Sequence, residues 1–179
     1  MNSPEFRQLA LAEIDAVFRM AFHLTRKPDE ASDLVQETYL RAFTAEASFQ
    51  LREGGIRPWL FKILHNVFYT RLSRDKRSPA LVEDLEVMAE PEEPAPCWDI
   101  STLNWEQVDD RLKKAIDDLP AHYRHVLLLW AVEGLKYREI ADVLGVALGT
   151  VMSRLSRARL MLSRQLGELA KEHGIKTVD

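Results

Sequence analysis

The stretch GTVMSRLSRARLML, residues 149–162, combines an apolar side with a basic one. Val151, Leu155 and Leu162 fall together at helical spacing, and Arg154, Arg157 and Arg159 lie among them. From Leu148 to Leu166 there is no acid, although the whole chain has a formal net charge of −4. Just upstream, KYREIADVLG (136–145) reads as a short helix that stops at a glycine. A short helix, a tight turn at Gly145 and a longer basic helix spell a helix-turn-helix. Ala141 is expected to be small because the second helix crosses close over it. Gly145 is expected in a backbone region that other residues avoid. Val151 then anchors the second helix, with Ile140, Leu144 and Val146 filling the space between. Ser153, Arg154 and Arg157 project the other way. Such a helix fits the DNA major groove, where arginine forks onto guanine and serine bonds bases or phosphates. The competing reading is a solvated basic face.

The rest of the chain fits a nucleic-acid partner. Of its 179 residues 46% are hydrophobic, enough for packed cores. A single cysteine, Cys97, excludes an internal disulfide and a cysteine-rich zinc site, and it suits the reducing cytoplasm. No apolar run approaches the roughly 20 residues of a membrane span. The opening MNSPEFRQLALAEID mixes acids among its apolar positions, unlike a signal peptide. Charge is segregated: residues 1–56 carry net −3, 57–77 net +5, 78–110 net −10 and 111–179 net +4. Two basic surfaces flank an acidic middle, and each is a candidate polyanion-binding face.

The expected architecture is all-α: two small helical domains, 1–77 and 102–179, joined by a flexible acidic linker over 78–101. That linker holds four of the eight prolines and no Lys or Arg, and both features oppose packing. The first domain reads as three to four helices. One has Leu9, Ile14, Val17, Phe18, Ala21 and Phe22 inward. A second starts at Pro28 and points Leu34, Val35, Tyr39, Leu40 and Phe43 inward. The loop AEASFQLREGG follows. Pro58 then starts a helix with an apolar face of Trp59, Ile63, Val67 and Leu72 and a basic far end. The second domain reads as four helices: WEQVDDRLKKAIDDL, then AHYRHVLLLWAVEG with Val126–Trp130 buried and Gly134 as its cap, then the two of the helix-turn-helix.

DEASDLVQETYLRAF, then SF, then RPWLFKILHNVFYTRLSR resembles region 2 of the extracytoplasmic-function (ECF) branch of sigma-70 family sigma factors. LPAHYRHVLLLWAVEGLKYREIADVLGVALGTVMSRLSRAR resembles region 4 of the same family. REGGIRPWLFKILHN and GTVMSRLSRAR look most like the branch controlled by redox-responsive zinc anti-sigma factors. The resemblance implies a subunit that binds core RNA polymerase, recognises the −35 and −10 promoter elements and promotes melting. It also implies an anti-sigma partner.

Residue by residue, the resemblance places Asp33, Gln36, Glu37 and Arg41 against a coiled coil of the polymerase β′ subunit, and region 4 against the β flap. Ser48, Phe49 and Gln50 fall in the loop that pockets a flipped base, and Asn66 faces that pocket. Lys62, Arg71, Arg74, Lys76 and Arg77 hold backbone phosphates. Trp59 has two readings, hydrophobic core or wedge at the melting fork, and Phe49 shares them. Thr150, Ser153, Arg154, Arg157 and Arg159 meet the −35 element. The chain departs from the pattern at Thr70, where many members carry aspartate, at His65, and at Met152, where many carry Lys or Arg. The linker reads either as a mimic of nucleic-acid charge in the polymerase cleft, with Trp98 and Trp105 as anchors, or as a spacer.

No catalytic residues, metal site or cofactor are expected. His122 and His125 lack an evident third ligand, and Cys97 is either a reactive thiol or a bystander. A stand-alone DNA-binding regulator leaves the DLVQET helix and the basic helix from Pro58 unexplained. A decoy that sequesters an anti-sigma factor usually appends a receiver domain. A nucleic-acid enzyme needs clustered carboxylates or metal ligands near the basic faces.

Overall fold

The computed structural model describes residues 3–51, 54–75 and 110–165, with side chains described for 4–51, 54–73 and 110–165. The expected linker at 78–101, its boundaries, and Lys76, Arg77, Cys97, Trp98 and Trp105 lie outside the described residues. Among those residues the regular structure is helical, eight α-helices and one short 3-10 turn. The chain divides into two compact units.

The first unit holds α1 (Ser3–Ala12), α2 (Ile14–Thr25), α3 (Pro28–Thr44) and α4 (Arg57–Asp75). The expected first helix is thus two, broken at Glu13. Helix α2 stops where Arg26 turns left-handed at φ 64° and returns its N–H to the Phe22 carbonyl. Pro28 then opens α3, with Asp29 and Glu30 at the positive end of the helix dipole. Helix α3 is the centre of the unit and packs on α2 and on α4. Val17, Met20, Leu34, Leu60, Phe61, Leu64 and Val67 fill the core, and each fully buried large side chain contributes about 1.5–3 kcal/mol. The Tyr39 hydroxyl donates to the Ala10 carbonyl at 2.7 Å, which pins α1 to α3. Arg57 pairs with Glu13 at 2.6 Å and ties the start of α4 to the α1–α2 break.

Several expected core residues are not inside. Phe18 and Phe22 are each 39% exposed, Leu9 and Ile14 are likewise on the surface, and Leu40 is 68% exposed. Helix α2 is apolar on two faces, and α3 takes the one carrying Val17, Met20, Ala21 and Leu24. Trp59, Ile63 and Leu72 on α4 are only half-buried, and Val67 faces the core.

The second unit holds α5 (Asp110–Asp117), α6 (Ala121–Ala131), the start of α7 (Tyr137–Leu144) and α8 (Leu148–Gln165). Val126–Trp130 is buried throughout, as a continuous apolar run requires. Gly134 adopts φ 67°, and the chain wraps so that Leu135 N–H reaches the Leu129 carbonyl at 3.0 Å. Helix α7 starts with Glu139 accepting the Lys136 N–H at 2.8 Å, one half of a capping box. Gly145, at φ 65°, makes the turn into α8. Helix α8 packs on α6 and α5, anchored by buried Val151, Leu155 and Ala158. Leu162, expected beside them, is half-buried, and so is Ala141.

Candidate nucleic-acid and polymerase interfaces

Helix α8 sorts its residues by angle. With 3.6 residues per turn, the spacings of three and four bring Thr150, Ser153, Arg154 and Arg157 onto one flank. All four are half-buried. The Ser153 hydroxyl donates to the Thr150 carbonyl at 3.1 Å, which holds it close to the helix. Arg157 Nη1 donates to the Tyr123 hydroxyl at 3.4 Å. Arg159 falls on the opposite flank. Its guanidinium sits 4.4 Å over the Trp130 ring, so α6 holds it by a cation–π contact. The structure therefore gathers four of the five expected −35 residues and sets Arg159 apart from them.

Helix α4 carries an exposed stripe. Lys62, Asn66, Thr70 and Ser73 are solvent-facing at spacings of four, four and three, with half-buried Trp59 one turn before Lys62. Asn66 lines a shallow hollow with Tyr69, Thr70 and Ser73. The loop residues sit elsewhere. Ser48 and Gln50 are exposed, and the Ser48 hydroxyl donates to the Ala45 carbonyl at 2.7 Å. Phe49 closes an aromatic cluster, 5.4 Å from Phe6 and 5.1 Å from Trp59 between ring centroids. That cluster borders a second cleft, lined by Phe6, Phe43, Thr44, Glu46, Ala47 and Phe49. Asn66 and Phe49 thus line different hollows. Trp59 packs edge-on in the cluster and shares a face of α4 with Lys62.

Arg71 is not on that stripe. It turns toward α3, where Nη2 and Nε reach one Glu37 oxygen at 2.6 and 3.1 Å. Nη2 also donates to the Asp33 carbonyl at 3.2 Å. The side chain of Arg74 lies outside the described residues.

On α3, Asp33, Glu37 and Arg41 form a ladder at spacings of four, with Gln36 alongside. Arg41 pairs with Glu37 from one side and Arg71 from the other. The Arg71 hydrogen bond, aided by Arg41, holds the Glu37 carboxyl below the usual carboxylate range. Leu40 lies on the same surface. Helical periodicity turns it inward, and the structure leaves it exposed beside Gln36 and Glu37. A lone leucine among polar helix neighbours at 36, 37 and 41 is the signal that marks it.

Comparison with known proteins places both units in one family. Residues 9–78 match the family Sigma-70 region 2. Residues 109–162 match Sigma-70, region 4. The chain belongs to the sigma-70 family, in its ECF branch. It is 34% identical over 156 residues to the ECF RNA polymerase sigma factor EcfG of Rhodopseudomonas palustris, covering 87% of this chain and 82% of the relative. It is 36% identical over 172 residues to the ECF RNA polymerase sigma factor SigE of Mycolicibacterium smegmatis, covering 94% of this chain but 64% of that longer relative. Among solved structures, the sigma factor RpoE from Bartonella quintana, in complex with the anti-sigma factor NepR, superposes with a TM-score of 0.67. It is 30% identical and covers 92% of this chain and 98% of that one. The region 2 match runs from the end of α1 through α4, and the region 4 match runs from α5 into α8. No helix among the described residues is long and apolar enough to cross a membrane.

Proposed function

We propose that this sigma factor lends promoter specificity to core RNA polymerase and has no chemistry of its own. The observation that carries the reading is the α8 flank. Thr150, Ser153, Arg154 and Arg157 stand together on a helix whose other side is anchored by Val151, Leu155 and Ala158. That arrangement supports reading of the −35 element in the major groove. Region 2 supplies the second contact. Lys62 and Asn66 on the α4 stripe, with Ser48, Phe49, Gln50 and Trp59 nearby in sequence, hold and melt the −10 strand. Asp33, Gln36, Leu40, Glu37 and Arg41 dock on the β′ coiled coil, where Leu40 adds apolar contact to a charged stripe. Region 4 docks on the β flap. The setting is cytoplasmic.

The RpoE structure holds an anti-sigma factor, and this chain is proposed to have such a partner too. The motifs REGGIRPWLFKILHN and GTVMSRLSRAR support the redox-responsive zinc class for it. Release of transcription by oxidation or zinc removal in a reconstituted mixture checks that class, and insensitivity to both removes it.

Promoter binding in two states tests the function. The free chain is expected to bind duplex promoter DNA weakly, and core polymerase is expected to confer tight, sequence-specific binding. Tight specific binding by the chain alone would instead make it a stand-alone regulator.

A further inference from the structure

Helix α6 reaches Arg157 through Tyr123, a residue to which the proposed promoter contacts give no role. Tyr123 stands in the first turn of α6, half-buried, and its hydroxyl accepts from Arg157 Nη1 at 3.4 Å. The His122 ring lies tilted against it, 4.0 Å between centroids and 54° between planes. Helices α6 and α8 are packed against one another, so the facing of Tyr123 and Arg157 is set by the core of the unit. Val126, Leu129, Val151 and Leu155 make up that core.

We infer that Tyr123 is a positioning residue that holds Arg157 ready to read the −35 element. This rests on the proposed role of α8. An arginine side chain has several rotors, and fixing them on DNA costs conformational entropy. A guanidinium offers five N–H donors and no acceptor. The Tyr123 oxygen takes one donor, and the contact restricts the side chain before DNA arrives. At 3.4 Å it is long for a hydrogen bond, so it restrains the rotamer and adds little to folding stability. Base discrimination depends on the angle of a two-donor fork, and a loosened Arg157 loses selectivity before it loses affinity. Tyr123 does not touch the base.

The experiment is run-off transcription by full-length chain with core polymerase on templates bearing single −35 substitutions. Four proteins are compared: wild type, Tyr123→Phe, Arg157→Ala and the double variant. Tyr123→Phe keeps the ring and removes only the acceptor. It is expected to lower discrimination at the Arg157-dependent base by about threefold to tenfold, with the melting temperature unchanged. In the Arg157→Ala background it is expected to change nothing further. Unchanged discrimination in Tyr123→Phe overturns the inference, with or without a lower melting temperature, and so does an additive loss in the double variant. If Arg157→Ala itself leaves −35 discrimination intact, the proposed role of α8 fails and the positioning role falls with it. The single-variant data therefore tell the two failures apart.

Discussion

Arg71 on α4 closes onto Glu37 on α3, with two guanidinium nitrogens within 3.1 Å of one carboxylate oxygen. The resemblance to region 2 casts Arg71 as a phosphate contact and Glu37 as a polymerase contact. The geometry makes them one brace between the two helices that form both surfaces. The α4 stripe of Lys62, Asn66, Thr70 and Ser73 points elsewhere.

Arg71→Ala is therefore expected to act on folding first. Each partner is about a third exposed, 37% and 31% by side chain, so the pair is worth about 1 kcal/mol or less. Denaturant unfolding should show that loss, shared with Glu37→Gln in a double-mutant cycle. The salt dependence of promoter binding by the holoenzyme should stay as in wild type. Lys62→Ala should do the reverse, reducing the salt slope by about one at unchanged stability.

Tyr39 supplies a pH dependence on the alkaline side. Burial, reinforced by Glu13 and Asp15, pushes its phenol up to about 12, against about 10 in an unfolded chain. The folded state then holds the proton more tightly. Its stabilising effect is complete below about pH 10 and is lost as pH rises toward about 12. Tyr39→Phe should remove this alkaline loss and cost about 1 kcal/mol at neutral pH through the missing bond to Ala10. Thermal melts across the alkaline range check both.

These relationships differ in how far they could be read beforehand. Val126–Trp130 was legible because five apolar residues in a row leave no polar face, and Gly134 marks where they end. Gly145 was legible because a turn between two helices needs a left-handed residue. Phe18 and Phe22 misled because α2 is apolar on two faces and periodicity alone does not say which one α3 covers. Leu40 misled for a different reason: it is apolar, yet it lies on the polar side of α3 with Gln36 and Glu37. The ties from Arg71 to Glu37 and from Arg159 to Trp130 span 34 and 29 positions, and no local pattern encodes such pairs. At the candidate site, the flank of Ser153, Arg154 and Arg157 followed from helical spacing, and Thr150 came only with the resemblance. The separation of Asn66 from Phe49 depended on how the loop after α3 folds back to the aromatic cluster.

Gly145→Ala tests the turn. A Cβ there meets nothing within 4 Å, so the penalty is backbone strain at φ 65° alone. The expected loss is about 1–2 kcal/mol, read by denaturant unfolding. Weaker −35 binding should accompany it if the turn sets the direction of α8.

Arg159→Ala tests the flank assignment. Losing the contact with Trp130 should cost about 1 kcal/mol of stability. Preference among −35 bases should be unchanged, because Arg159 lies opposite Arg157 on α8. A changed base preference at wild-type stability would return Arg159 to the DNA-reading set.

The central claim is that one chain supplies two separate promoter contacts to core RNA polymerase. Run-off transcription with core polymerase on a pool of randomised promoters measures this most directly. Recovery of a two-part motif at fixed spacing is expected, with the upstream part relaxed by Arg157→Ala and the downstream part by Asn66→Ala. Recovery of a single element, or no transcription above core polymerase alone, would contradict it.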